Sequence, residues 1–154
     1  MQVGKLLLWI IIWQVPMWIG AGIVRQNMDW YHQLNQPFFS PPDWLFGIVW
    51  AVLYLLLAVA GFYLTRTTEC GSPVRKATKL LIAQLVLNAM WSPLFFGMHH
   101  LMGGMILILV MIGMTIWLMR AAKPVSAMAV WLLVPYLAWL CFAWLLNTGI
   151  WIMN

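Results

Sequence analysis

The sequence predicts an all-α integral membrane protein, a bundle of five transmembrane helices forming one domain over residues 1–154. Three observations carry this reading. Hydrophobic residues make up 65% of the chain and charged ones only 7%, whereas soluble domains carry about 25% charge. The few charges are spaced to leave uncharged runs long enough for a bilayer core, which takes roughly 20 apolar residues per helix. Strict two-residue alternation is absent, which argues against an outer-membrane barrel.

The spans are expected at about 5–25, 42–65, 78–97, 102–121 and 125–149. Lys5 and Arg25 bracket the first. Its Lys5, its apolar Leu6 to Ile12 and its Gly20-Ala21-Gly22 faintly have the form of a leader peptide. Trp9, Trp13 and Trp18 are bulky for that role, so it is read as a retained span. Ser40-Pro41-Pro42-Asp43 opens the second. Ser40 can cap, Pro41 suits a first turn, and Asp43 can reach back to the cap and complement the helix dipole. That gives Asp43 a structural role in preference to a catalytic one. Gly71-Ser72-Pro73 punctuates the approach to the third span, and no formal charge falls between Lys79 and Arg120, which is room for two spans. His99-His100 and Gly103-Gly104 mark the hairpin between them. Lys123-Pro124 opens the fifth, with proline in a first turn.

The charges also give a direction. Lys5, Arg66, Arg75, Lys76, Lys79, Arg120 and Lys123 fall on one side of the five spans, with Glu69 the acid there. The other side has Arg25 against Asp29 and Asp43, so the balance is +6 against −1. The positive-inside rule then places the N-terminus in the cytoplasm, in a membrane of the bacterial inner (plasma) type. The bases are divided among short loops and form no single face, which argues against a nucleic-acid partner. Cys70 lies in a basic loop and Cys141 inside the last apolar run, so no disulfide is expected, and Cys141 reads as a small packing residue.

Three spans carry aromatic and amide side chains on one face. On the second, Phe46, Trp50 and Tyr54 recur every four residues. On the third, Gln84, Asn88, Trp91, Ser92 and Phe95 share a face, as do Tyr136, Trp139, Ala143 and Asn147 on the fifth. Trp30 and Trp44 suit the interfacial aromatic belt, but Trp50 lies about 9 Å deeper than Trp44 at 1.5 Å per residue. A single amide in hydrocarbon reads as helix–helix glue. Three such faces at matching depth, below a loop containing Pro37, Pro41 and Pro42, read as the walls of a ligand cavity. Pro16, Pro93 and Pro135 each remove a backbone donor inside a span, which favours kinks and gaps.

The blocks WYHQLNQPFFSPPDWLFGIVWAVLY, QLVLNAMWSPLFFG and PYLAWLCFAWLLN resemble the TspO/MBR family. These are the tryptophan-rich sensory proteins, whose mitochondrial relatives are the translocator protein or peripheral benzodiazepine receptor. The similarity covers nearly the whole chain. It implies a five-helix bundle, a homodimer in the lipid bilayer, and a pocket under the first loop that takes protoporphyrin IX or haem-type tetrapyrroles as ligands, with no cofactor required. By the same resemblance Trp50 and Trp139 match pocket tryptophans linked to porphyrin handling, and Gln84 and Asn88 match polar pocket positions. Tyr31, Pro41 and Tyr54 match wall positions, and Phe142-Ala143 matches a place where a small residue lets helices approach. Phe46 and Trp91 complete the expected ligand-binding set. The residue before Pro37 is Gln36, where the family commonly has lysine, and the final LLNTGIWIMN lacks the tyrosine and base of the mitochondrial cholesterol motif.

A tetrapyrrole is a flat apolar disc with acidic groups on one edge. Stacked rings suit the disc, and Arg25 or His32 at the mouth could meet the acids. Adjacent histidines cannot face one cavity together, so His99-His100 reads as a solvated turn and not as axial ligands. No Ser/His/Asp set, metal cluster or buried carboxylate pair is present, so enzyme chemistry has little to stand on. The alternatives are light- and oxygen-dependent porphyrin degradation, with Trp50 and Trp139 as the reacting side chains, and transport. Transport would ordinarily bring repeats or midplane ionisable groups, and neither is present.

Overall fold

A computed structural model describes residues 2–66 and 71–154. Glu69 and Cys70 lie outside the described residues. Six α-helices run in order: α1 (Gln2–Gln26), α2 (Met28–Gln33), α3 (Asp43–Thr65), α4 (Ser72–Ser92), α5 (Leu101–Ala122) and α6 (Ala127–Met153), with a π-helical turn at Pro93–Gly97 continuing α4. Five of these segments are long and apolar enough to cross a membrane: Gln2–Gln26, Asp43–Thr65, Ser72–Gly97, Leu101–Ala122 and Ala127–Met153. The described residues thus form an all-helical, five-span bundle. Its helices close a ring in the order α1, α3, α6, α5, α4 and back to α1.

Close approach between helices depends on small residues, because in lipid the association rests on packing contacts. At the basic end of the bundle α1 lies against α3 where Gly61 faces Trp9, and a Cβ on Gly61 would stand 2.6 Å from the indole ring. The ring is held in place, since Trp9 Nε1 donates to Thr65 Oγ1 at 2.9 Å. Nearby, Lys5 Nζ donates to the Thr65 carbonyl at 2.9 Å. Trp13, with no exposed surface, fills the next layer beside Tyr54.

Three helix starts differ from the sequence reading. α3 is not capped by Ser40: Pro42 holds the cap position without a side-chain bond, and Asp43 is the first helical residue. The Asp43 carboxylate instead accepts from His32 Nε2 at 2.7 Å, because the 26–42 connection contains the short helix α2, which brings His32 over it. α6 starts at Ala127 and not at Pro124, since Ser126 supplies a capping oxygen that accepts from the Ala129 N–H at 3.3 Å. α4 starts at Ser72, ahead of the expected 78, with Pro73 in its first turn and Arg75, Lys76 and Lys79 already helical. Cys141 is a further correction: it is exposed on α6 and does not pack inside the bundle.

The 26–42 connection is tied down as a roof over one end of the bundle. Asn35 and Asn154 bond reciprocally, with Asn154 Oδ1 accepting from the Asn35 N–H at 3.0 Å and Asn154 Nδ2 donating to the Asn35 carbonyl at 3.0 Å. Pro37 seats on α6 at Gly149, where a Cβ would stand 2.6 Å from the proline ring. Together with the His32–Asp43 pair, these contacts fix the roof to α3 and α6.

Candidate functional site

Beneath the roof lies a cavity of about 470 Å³, well within the roughly 300–1,000 Å³ of small-molecule sites. Its aromatic wall comes from two helices. α3 contributes Phe46, Trp50 and Tyr54, stacked by the four-residue repeat of one helix face. α4 contributes Asn88, Trp91 and Ser92, and the π turn adds Phe95 and Phe96. Proline explains that turn: Pro93 has no N–H to continue the α pattern, and the Met98 N–H instead donates to the Pro93 carbonyl at 2.8 Å. The wider turn brings both phenylalanines inward.

The rings interlock. Trp91 stacks on Phe95 with centroids 5.3 Å apart and planes inclined by 15°. Trp50 lies 6.5 Å from Trp91 and 5.3 Å from Tyr54. Tyr31 of α2 closes the cavity from above. Burial, and secondarily the nearby Asp43 carboxylate, push its pKa up to about 12, so it is a neutral phenol at physiological pH. Arg25 and Asp43 stand at the rim.

A polar knot backs the wall. Gln84 Nε2 donates to Tyr136 Oη at 2.6 Å, and Asn88 Nδ2 donates to the same oxygen at 2.8 Å and to the Gln84 carbonyl at 2.8 Å. The bond to a carbonyl fixes the Asn88 amide, because only its nitrogen can donate there. Asn88 Oδ1 and Trp91 Nε1 are then buried without a protein partner among the described residues, and both residues line the cavity. Asn147 Oδ1, on α6, is buried without a protein partner in the same way, and Asn147 also lines the cavity. Replacing Tyr136 by phenylalanine strands two buried amide donors, and is expected to cost about 1–2 kcal/mol. Thermal unfolding in detergent checks this; an unchanged midpoint would show that the knot carries no stability.

Of the expected site residues, Tyr31, Phe46, Trp50, Tyr54, Asn88 and Trp91 line the cavity and Pro41, Gln84, Trp139, Phe142 and Ala143 do not. Gln84 is fully buried in the knot, its side-chain nitrogen also 3.3 Å from the Met111 carbonyl, so it bonds helix to helix. Trp139 packs edge-on against Phe46, a lining residue, at 5.9 Å, and lies tilted against Phe142 at 5.2 Å. Phe142 in turn meets Phe39 of the roof at 6.4 Å. Ala143 is buried and its carbonyl accepts from Asn147 Nδ2 at 2.9 Å. Pro41 is part of the roof connection, outside the lining. α6 reaches the cavity through Leu146, Asn147 and Ile150 instead.

The wall that sequence reasoning missed is α1: Pro16, Met17, Gly20, Ala21 and Val24. The signal was present. Residues 16, 20 and 24 follow four-residue spacing, with 17 and 21 beside them on the same face. Their small, apolar character masked it, because they carry no polar group to mark a cavity. His99 and His100 are elsewhere: His99 stacks on Trp30 at 4.0 Å, and His100 Nδ1 caps α5 by accepting from the Gly103 N–H at 2.9 Å.

Comparison with known proteins adds the relationship. The TspO/MBR family model matches residues 8–152. Protein CrtK of Rhodobacter capsulatus is 32% identical over 140 residues, covering 88% of this chain and 84% of that protein. Tryptophan-rich protein TspO of Archaeoglobus fulgidus is 34% identical over 139 residues, 88% of this chain and 87% of that protein. The human Translocator protein is 34% identical over 137 residues, 86% of this chain and 80% of its own length. With a match that runs almost from end to end, the chain belongs to the TspO/MBR family.

Proposed function

We propose that this protein is a membrane receptor that binds a tetrapyrrole, protoporphyrin IX or a haem-type relative, in the cavity under its roof. The observation that carries the proposal is the cavity itself: flat indole and phenyl walls of the kind an extended apolar disc requires, with only a few polar groups. Trp50, Trp91 and Phe95 offer ring faces, each aromatic pairing contributing about 0.5–1.5 kcal/mol beyond burial. Arg25 at the rim is the cation for an acidic edge group, and Asn88 and Trp91 orient the inner edge. The name of a relative, the Tryptophan-rich sensory protein of Cereibacter sphaeroides, supports a sensing role.

Binding is favoured over passage by what lies below the cavity. Its lining goes no deeper than Tyr54 on α3, and under it Trp13, Leu57 and Leu81 are packed with no exposed surface. Photo-oxidative degradation through Trp50 and Trp139 has less to rest on, because of the two only Trp50 lines the cavity. We place the basic end in the cytoplasm by the positive-inside rule, in an inner membrane of bacterial type, with the protein as a homodimer.

Titrating purified protein with protoporphyrin IX tests the reading. Saturable quenching of tryptophan fluorescence is expected, and purely linear quenching would overturn it. Arg25→Ala should weaken binding about tenfold, the equivalent of one charge-assisted contact. Unchanged affinity would take Arg25 out of ligand recognition.

A further inference from the structure

We infer that the cavity is loaded sideways from the bilayer, through a gap between α1 and α3, by a flat apolar acid already dissolved in the membrane; this rests on the proposed binding function. Of all the residues lining the cavity, the four that are exposed are Ala21, Arg25, Asp43 and Gly47. Two belong to α1 and two to α3, which are neighbours in the helix ring. The most exposed part of the lining therefore gathers along that seam.

The seam is built for clearance. A Cβ on Gly47 would meet nothing within 4 Å, and Ala21 on α1 is the smallest side chain after glycine. The same helices pack closely lower down, where Gly61 meets Trp9 and Trp13 meets Tyr54 at 5.8 Å. Gly47 and Ala21 each lie one helical turn inside the charged rim formed by Asp43 and Arg25, about 6 Å at 1.5 Å per residue. With the charged rim among the headgroups, that depth falls at the boundary with the hydrocarbon. Trp18, Trp44 and Ile48, exposed beside the opening, are side chains suited to lipid at that level.

The roof, by contrast, is fastened. The Asn35–Asn154 bonds, Pro37 on Gly149 and the His32–Asp43 pair hold it at both ends. A ligand admitted through the seam leaves all of them in place. Its apolar disc passes Ala21 and Gly47 while its acid stays at headgroup depth, beside Arg25.

The test compares rates. Protein in phosphatidylcholine vesicles is mixed with vesicles preloaded with protoporphyrin IX or, separately, with pyrenebutyrate, a flat apolar acid that is not a tetrapyrrole. Gly47→Trp places a bulky ring in the seam, and the double variant Asn35→Ala/Asn154→Ala loosens the roof. The expected result is that Gly47→Trp slows both association and dissociation about tenfold or more, while the roof variant leaves both within about twofold. A roof variant that speeds association, with Gly47→Trp unchanged, overturns the lateral route. If pyrenebutyrate shows the seam dependence and protoporphyrin shows no saturable binding, the route stands and the tetrapyrrole reading falls. If neither probe binds saturably, both fall.

Discussion

Replacing Gly61 by leucine is expected to separate α1 from α3 and to produce the largest stability loss of any single substitution at a helix contact in this protein. Even a Cβ would stand 2.6–2.8 Å from three atoms of the Trp9 ring. The ring cannot swing aside cheaply, because its N–H is bonded to Thr65 Oγ1 and the Thr65 hydroxyl in turn donates to the Gly61 carbonyl at 2.8 Å. Overpacking costs about 1–3 kcal/mol where neighbours can relax, and the pinned ring places this site at the upper end or beyond. Thermal unfolding in detergent should show a large drop in midpoint. Adding Trp9→Ala to Gly61→Leu should recover part of it, since the two side chains occupy one space, and the recovery measures their coupling. If the double variant is as unstable as the sum of the singles, the Trp9–Gly61 contact is not what sets the spacing of α1 and α3.

Trp91→Ala should cause the largest loss of ligand affinity. Trp91 joins the α3 part of the aromatic wall to the π turn, with ring contacts to Trp50, Phe95 and Phe96, and its indole N–H is buried without a protein partner among the described residues. Removing it deletes a stacking face and lets Phe95 and Trp50 tilt. A loss of about 3 kcal/mol, roughly 100-fold in Kd, follows from the combined ring contacts and burial. Trp139→Ala is the informative contrast. Packed against Phe46 and absent from the lining, Trp139 should change affinity by less than about tenfold, through the freedom given to Phe46 rather than through direct contact. Fluorescence titration with protoporphyrin IX measures both. Equal losses for the two variants would mean that the ligand penetrates between Phe46 and Trp139, and the cavity as described would not be the binding site.

The contrast between these two tryptophans shows how far the sequence could be read. Phe46, Trp50 and Tyr54 on α3, and Asn88 and Trp91 on α4, were legible as cavity wall because polar and aromatic groups at one face and one depth in hydrocarbon need an explanation. Trp139 had the same credentials and stands elsewhere. Gln84 had them too and bonds Tyr136 instead. Asp43 stands in the first turn of α3 as expected, but in place of reaching back to a Ser40 cap it holds the roof through His32, because no pattern between α1 and α3 announced α2.

The five spans, their alternating direction, and the side chains that share a face on each helix could be read from the chain, since run length, charge and a 3.6-residue repeat are all local properties. Which faces meet depended on how the helices assemble. Periodicity fixes a side chain relative to its own helix axis but not the rotation of that helix against its neighbours. That rotation is set by contacts such as Gly61 on Trp9 and Gly149 on Pro37, where the absence of a side chain lets distant segments touch. The same contacts turned the apolar, unmarked face of α1 into one side of the cavity, with Ala21 of α1 and Gly47 of α3 in its exposed lining.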